Sequence, residues 1–337
     1  MKSHDIIFAD RPELLAIKIL SYNSTNIAFA PNGEYLRQLQ KFCIPELLSS
    51  IKSIREEEVR NLIESISSSS DCLINLSEKI LLLTNGITSR AAFGQKCKDQ
   101  DQFIMAIQEA LKAKPALEEI HRKVDRIIQE IIKDHTDIFT VGSDTSSATI
   151  EWAMSAMMRK RRLMEKAQAE VRHVLKWKRK IEERDIQEVN YLKLVIKETL
   201  RLHPPNPLLL PREARERCEV KSYEAIERDP EYWTSAESFE PERFCESSVD
   251  FKGTNFEFIP FGAGRRICPG MLFGIANIEI PLAQLLYHFN RKLANGIKPE
   301  ELDMTETFGP SIRKKNALHL IATPYIPLIH ENFAMDF

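Results

Sequence analysis

Apolar positions recur at helical spacing through most of the chain. Ile120, Val124, Ile127, Ile128 and Ile131 fall on one face of a 3.6-residue period, which predicts an amphipathic helix from Leu117 to Asp134. The same pattern predicts helices over 12–21, 33–49, 54–66, 76–92 and 101–112. Breakers bound them: Pro31-Asn32-Gly33 opens the second, Ser67-Ser68-Ser69-Ser70-Asp71 parts the third from the fourth, and Ala113-Lys114-Pro115 closes the fifth. A later apolar helix stops at His203-Pro204-Pro205, and the run from Met271 to Phe289 predicts another. Between Ile131 and Thr140 no turn residue intervenes, so the helices on either side should fuse or meet at a sharp bend. Glycine is scarce, at 11 residues, and no repeat is present, so the fold class expected is mainly α with a small β portion.

Composition narrows the classes. The chain has 337 residues, 43% hydrophobic and 28% charged, which suits one globular unit over 1–337. Lys and Arg total 47 against 49 Asp and Glu, and a net charge of -2 gives no electrostatic case for nucleic acid. The 6 cysteines lack framework spacing and are expected to be reduced. No apolar run is long enough for a membrane span, and Met1-Lys2-Ser3-His4-Asp5 lacks the layout of a signal peptide.

The candidate chemistry sits at Pro260-Phe261-Gly262-Ala263-Gly264-Arg265-Arg266-Ile267-Cys268-Pro269-Gly270. Three glycines and two prolines imply a tight loop with some positive φ, and the helix that follows would turn its N-terminus toward Cys268. Free N–H groups, the helix dipole, Arg265 and Arg266 would all favour a thiolate. No second cysteine or histidine stands at zinc spacing, which leaves single-thiolate ligation, nucleophilic use or a structural cysteine in a glycine turn.

The pattern Phe261-x-x-Gly264-x-Arg266-x-Cys268-x-Gly270 resembles the haem-binding loop of the cytochrome P-450 superfamily. The resemblance implies a mainly α fold of that kind with an incomplete β portion. It also implies haem b, with Cys268 as axial ligand of the iron and Phe261, Gly262, Arg266, Gly270 and Arg212 around the cofactor. Gly142-Ser143-Asp144-Thr145-Ser146 resembles the oxygen-activating stretch of the family's central helix, where Thr145 would hold dioxygen or its water and Asp144 would relay protons. Glu198-Thr199-Leu200-Arg201 and Pro241-Glu242-Arg243 are similar to the parts of the family's Glu198, Arg201, Arg243 triad, a geometric device rather than a chemical one.

The chain also departs from the pattern. Leu36 and Gln40 stand where the family places a Trp and an Arg that bond a haem propionate, so haem retention should suffer, and Arg37 and Lys41 lie about 100° round the helix from them. Val141 replaces a smaller residue. Stretches near Lys112 to Pro115, before Asp137 and around Val220 to Arg228 are shortened, which should displace the 117–134 helix, open the distal side and leave the sheet incomplete. The resemblance is closest to plant enzymes that hydroxylate terpenoids. It implies oxygen insertion into an apolar small molecule, an NADPH-dependent flavoprotein reductase as partner, and the cytosolic face of the endoplasmic reticulum membrane. Its members begin with an anchor, so this chain is expected to be truncated at its N-terminus and to be cytosolic if unanchored. The alternative reading is a haem-binding but catalytically impaired remnant or an aberrant-transcript product.

Overall fold

A computed structural model describes residues 5–13, 24–48, 51–93, 136–176, 178, 180–214, 226–309 and 311–325. Helices α1 (Glu34–Leu48), α2 (Lys52–Ser67) and α3 (Leu76–Phe93) lead to a long central helix α4 (Thr136–Arg159). Then come α5 (Arg161–Val174), α6 (Asn190–Leu202) and α7 (Met271–His288). The predicted spans at 33–49, 54–66, 76–92 and 271–289 match four of these to within two residues at either end. The helices expected at 12–21, 101–112 and 117–134, and the shortened stretch near Val220, fall wholly or mostly outside the described residues.

Helical spacing of apolar residues buries one stripe per helix. Val59, Leu62, Ile63 and Ile66 of α2 meet Leu76, Ile80, Leu83 and Ile87 of α3, and both stripes join one core with Ile150, Met154 and Met157 of α4. Ile278, Leu282, Leu285 and Leu286 of α7 close it, while Leu163, Ala167 and Val171 of α5 add a narrow stripe at intervals of four. Lys160, with extended backbone at φ -117 and ψ 90, separates α4 from α5. The central helix therefore has core on several sides, which explains why Trp152, Ile150 and Met154 are all fully buried.

The β portion is small, as expected. Strands β1 (Leu73–Asn75), β2 (Phe289–Leu293) and β5 (His319–Pro324) form an antiparallel sheet in the order β1-β5-β2. Its register pairs Ile74 with Leu320 and Arg291 with Ala322. Strands β3 (Glu306–Thr307) and β4 (Arg313–Lys314) make a separate hairpin. The N-terminal segment is tied to the chain after α6 by an antiparallel bridge between Asp10 and Glu213.

One residue conflicts with its surroundings. Arg291 projects into a wall made by Ile66, Ile74, Leu76, Leu285, Phe289, Leu320 and Ala322. Its Nη1 donates to the Leu285 carbonyl at 2.6 Å, but Nε and Nη2 are buried without a hydrogen-bond partner. Burial, and then repulsion from Arg172, pushes its proton affinity down to about 9. Each unsatisfied buried donor costs about 1–3 kcal/mol, so Arg291→Leu should raise the melting temperature. The gain depends on pH. The guanidinium binds its proton less tightly folded, at about 9, than in the unfolded chain, so the penalty is full below about pH 9 and fades as pH rises above it. The difference in melting temperature between variant and wild type should shrink over that window; equal melting at neutral pH would show that the strand shelters the charge.

Candidate functional site

The loop around Cys268 is closed by its own backbone. Gly262 at φ +74 and Gly264 at φ +68 occupy the left-handed region that other residues avoid, whereas Gly270, at φ -90, caps α7 in an ordinary conformation. The N–H of Gly262 donates to the Ile259 carbonyl at 2.8 Å, and that of Cys268 to the Phe261 carbonyl at 2.9 Å. The Phe261 ring packs edge-on against Phe251 at 5.6 Å. These bonds present a half-buried thiol immediately before α7.

Gly264 has a second reason to be glycine. The carboxylate of Asp5 reaches over the loop and accepts the Arg265 N–H at 3.0 and 3.2 Å, and a Cβ on Gly264 would overlap Asp5 Oδ1. Nothing in the sequence pattern signals this contact.

The electrostatics of the thiol differ from the expectation. Burial pushes the Cys268 thiol up, and the Gly270 N–H draws it only partly back. Arg265 is half exposed and faces Asp5 at 3.7 Å. Arg266 is buried and donates to the carbonyls of Ala9 and Ala30 at 2.5 and 2.6 Å. The two arginines build the loop rather than ionise the cysteine. A cation in direct contact with sulfur would be needed for that.

Arg266 belongs to a cluster with Arg212, also expected near the cofactor, and with Arg11, which sequence reading missed. Arg11 donates to the carbonyls of Ala28, Leu210 and Pro211 at 3.1, 2.8 and 2.7 Å. Arg212 donates to the Ala263 carbonyl at 2.8 Å and lies 3.9 Å from Asp5. Burial, followed by repulsion from Arg266 and Arg212, lowers the proton affinity of Arg11 to about 10. Three guanidiniums held on backbone carbonyls concentrate positive charge around the Cys268 loop. That donor set fits haem, which carries a metal for the sulfur and two carboxylates for the arginines. Leu36 is buried at 2% exposure, Gln40 is half-buried, and Arg37 pairs with Glu34 at 2.7 Å on the surface. None of these three adds to the cluster.

The glycine-alcohol stretch lies within α4. A Cβ on Gly142 would meet the Phe273 ring at 3.5 Å and Thr88 Cγ2 at 3.7 Å, and one on Gly274 would meet Ser146 Oγ at 3.9 Å. The Gly142 to Ser146 stretch therefore packs on the first turns of α7, just beyond Cys268. Thr149 Oγ1 donates back to the Thr145 carbonyl and Ser147 Oγ to the Asp144 carbonyl, both at 2.9 Å. Asp144 is half-buried, forms an ion pair with Arg313 through Oδ1, and has a buried Oδ2 with no hydrogen-bond partner. The side chain of Val141 is outside the described residues.

The predicted triad is assembled. Arg201 Nε and Nη2 donate to the two carboxylate oxygens of Glu198, both at 2.9 Å, and Arg243 Nε reaches Oε1 at 3.1 Å. Glu198 and Arg201 are fully buried, and Arg201 also donates to the carbonyls of Glu227, Ala236 and Ser238. Those carbonyls satisfy a charge that would otherwise be costly and fasten the chain after α6.

Comparison with known proteins is consistent with this arrangement. A family model described as cytochrome P-450 matches residues 105–320. Desmethyl-deoxy-podophyllotoxin synthase of Sinopodophyllum hexandrum is 47% identical over 414 residues, covering 98% of this chain and 81% of that protein. Melianol synthase of Ailanthus altissima is 44% identical (97% of this chain, 80% of that protein), and premnaspirodiene oxygenase of Hyoscyamus muticus is 42% identical (97% and 82%). A zebra fish cytochrome P-450 structure with abiraterone shares the fold, with a TM-score of 0.82 at 20% identity over 94% of this chain and 88% of that one. The first alignment spans 414 residues whereas this chain has 337, so the relative carries internal stretches that are absent here.

The Asp5 contact is testable by melting. Gly264→Ala forces a left-handed alanine, which costs about 1–2 kcal/mol, and adds the overlap with Asp5. In an Asp5→Gly background the steric part should vanish, so the double variant should lose less than the sum of the singles. Additive losses would place Asp5 away from the loop.

Proposed function

Because the chain belongs to the cytochrome P-450 family, we propose that it oxidises an apolar, terpenoid-like small molecule with one atom of dioxygen at the site between α4 and the Cys268 loop. The protein is an oxidoreductase of the monooxygenase class, and its cofactor is haem b. Among the described residues no helix is long and apolar enough to cross a membrane. The reading carries with it a flavoprotein reductase as electron donor and work at the cytosolic face of the endoplasmic reticulum. The supporting observation is the meeting of two segments remote in sequence, the Gly142 to Thr145 stretch and the helix that follows Cys268.

Haem, when bound, supplies the dioxygen-activating redox chemistry. The chain's own part is to hold and shield it. Cys268 would hold the iron through its sulfur, a thiol that burial alone pushes up. Arg212, Arg266 and Arg11 hold the propionates, with Arg11 standing in for the donors that Leu36 and Gln40 cannot provide. Thr145 orients a water, and Asp144 moves protons inward through Oδ2.

A second reading, a haem-binding protein with impaired turnover, is favoured by the internal stretches that a relative has and this chain lacks. Incubation with reductase, NADPH and a terpenoid panel separates the two. Coupled product formation supports the first, and peroxide without product supports the second.

Cys268→Ser should abolish the thiolate-type ferrous carbon monoxide band, while serine at Cys43, Cys72 or Cys245 should leave it. Survival of the band in the Cys268 variant would end the ligand assignment. Arg11→Met should weaken haem binding about ten- to a hundredfold, the worth of one charge-assisted hydrogen bond, and Arg11→Lys should lose less. Titration of haem into the stripped protein measures this, and unchanged affinity in Arg11→Met would remove Arg11 from the cofactor site.

A further inference from the structure

The 306–314 hairpin is docked along one face of α4. Arg313 Nη2 donates to the Asp144 carbonyl at 3.2 Å and to Ser147 Oγ at 2.6 Å, besides its ion pair with Asp144 Oδ1. Lys314 Nζ donates to Ser155 Oγ at 3.1 Å, and the indole of Trp152 donates to the Ile312 carbonyl at 3.3 Å. Positions 144, 147, 151 and 155 share one helix face, and Glu151, also on it, is engaged by Ser77 Oγ. The hairpin is fixed on its other side as well. Glu306 accepts from Arg228 at 3.1 Å and faces His203 Nδ1 at 3.2 Å, and the Ile312 N–H donates to the Pro205 carbonyl at 2.8 Å. Arg313 is therefore delivered to Asp144 by a support with little freedom.

We propose that Arg313 is the positioning residue for proton delivery by Asp144; this rests on the reading of Asp144 as the acid of the site. A carboxylate has two equivalent oxygens and rotates freely unless one is held. Arg313 holds Oδ1 and, by also gripping the carbonyl of the same residue and the Ser147 hydroxyl, fixes the carboxylate plane relative to the helix. The single atom left to take a proton is Oδ2, buried and without a partner. Oδ2 accepts a proton from solvent, passes it to the water ordered by Thr145 and returns to the carboxylate, so one proton enters and one leaves with no net change at Asp144. Orientation is the whole contribution of Arg313, because a misplacement of about 1 Å can cost on the order of a hundredfold in rate.

The test compares wild type, Arg313→Gln and Arg313→Lys as haem-loaded proteins with reductase and a turned-over substrate. Arg313→Gln should keep the thiolate spectrum and the KM for substrate, lower kcat about ten- to a hundredfold, raise the share of electrons lost to peroxide and enlarge the solvent deuterium isotope effect. Arg313→Lys should recover part of kcat and coupling. Melting of the holoproteins should show Asp144→Asn and Arg313→Gln less than additive in the double variant. Unchanged kcat and coupling in Arg313→Gln would overturn the proposal. So would parallel loss of haem content and kcat in both variants, which would make the hairpin a structural clamp only. A wild type that never turns over substrate would instead overturn the functional reading, and this inference with it.

Discussion

Burying a thiol that must work as a thiolate is unfavourable unless a cation comes to the sulfur. In this protein burial pushes Cys268 up, and the one backbone N–H that opposes the shift comes from Gly270. The side chains of Arg265 and Arg266 are committed elsewhere, to Asp5 and to the carbonyls of Ala9 and Ala30. The loop therefore presents sulfur in a state that a bound metal completes. Its surroundings follow from that requirement. The two left-handed glycines bring the Cys268 amide to the Phe261 carbonyl, and α4 packs on α7 at Gly142, next to the Phe273 ring.

Charge in this fold is placed by backbone carbonyls more than by carboxylates. Arg11, Arg201, Arg212 and Arg266 each donate to at least one carbonyl of a loop. Such contacts order irregular chain without neutralising the guanidinium, so positive charge accumulates where the loops converge. At Arg11 burial first, and then repulsion from Arg266 and Arg212, lowers the proton affinity. An acidic ligand would relieve that repulsion. At Glu198 the arrangement is different, because a fully buried carboxylate meets two arginines and the network is closed within the protein. We propose that the first cluster binds an acidic group, whereas the second holds geometry. Arg291 is neither, being a buried guanidinium with two donors left over, and it marks a place where the sequence works against its own fold.

A relative carries internal stretches that this chain lacks, whereas the Cys268 loop is present here. Cys268, the triad, Gly142 to Thr145 and strands β3 and β4 are all among the described residues. In the proposed function the residues for sulfur ligation, propionates and proton delivery are therefore kept apart from any cover that is lost. That separation is why haem binding and coupled turnover are distinct questions for this molecule.

Sequence alone determined the elements whose information is local. Helical periodicity and breakers set α1, α2, α3 and α7, because a stripe of apolar residues at intervals of three and four is a property of neighbours in the chain. The same holds for the turn at Cys268 and for the pairing of Glu198 with Arg201 one helical turn on. The strands went unrecognised individually because β1, β3 and β4 have two or three residues each, too few for alternation to register. What only the tertiary structure decided was the charge environment. Arg11 reaches the site through carbonyls at 210 and 211, Asp5 reaches it at 265, and Arg313 meets an acid at 144. None of these follows from spacing. The energy of a buried charge is a sum over everything packed around it, and most of that lies far away in the chain.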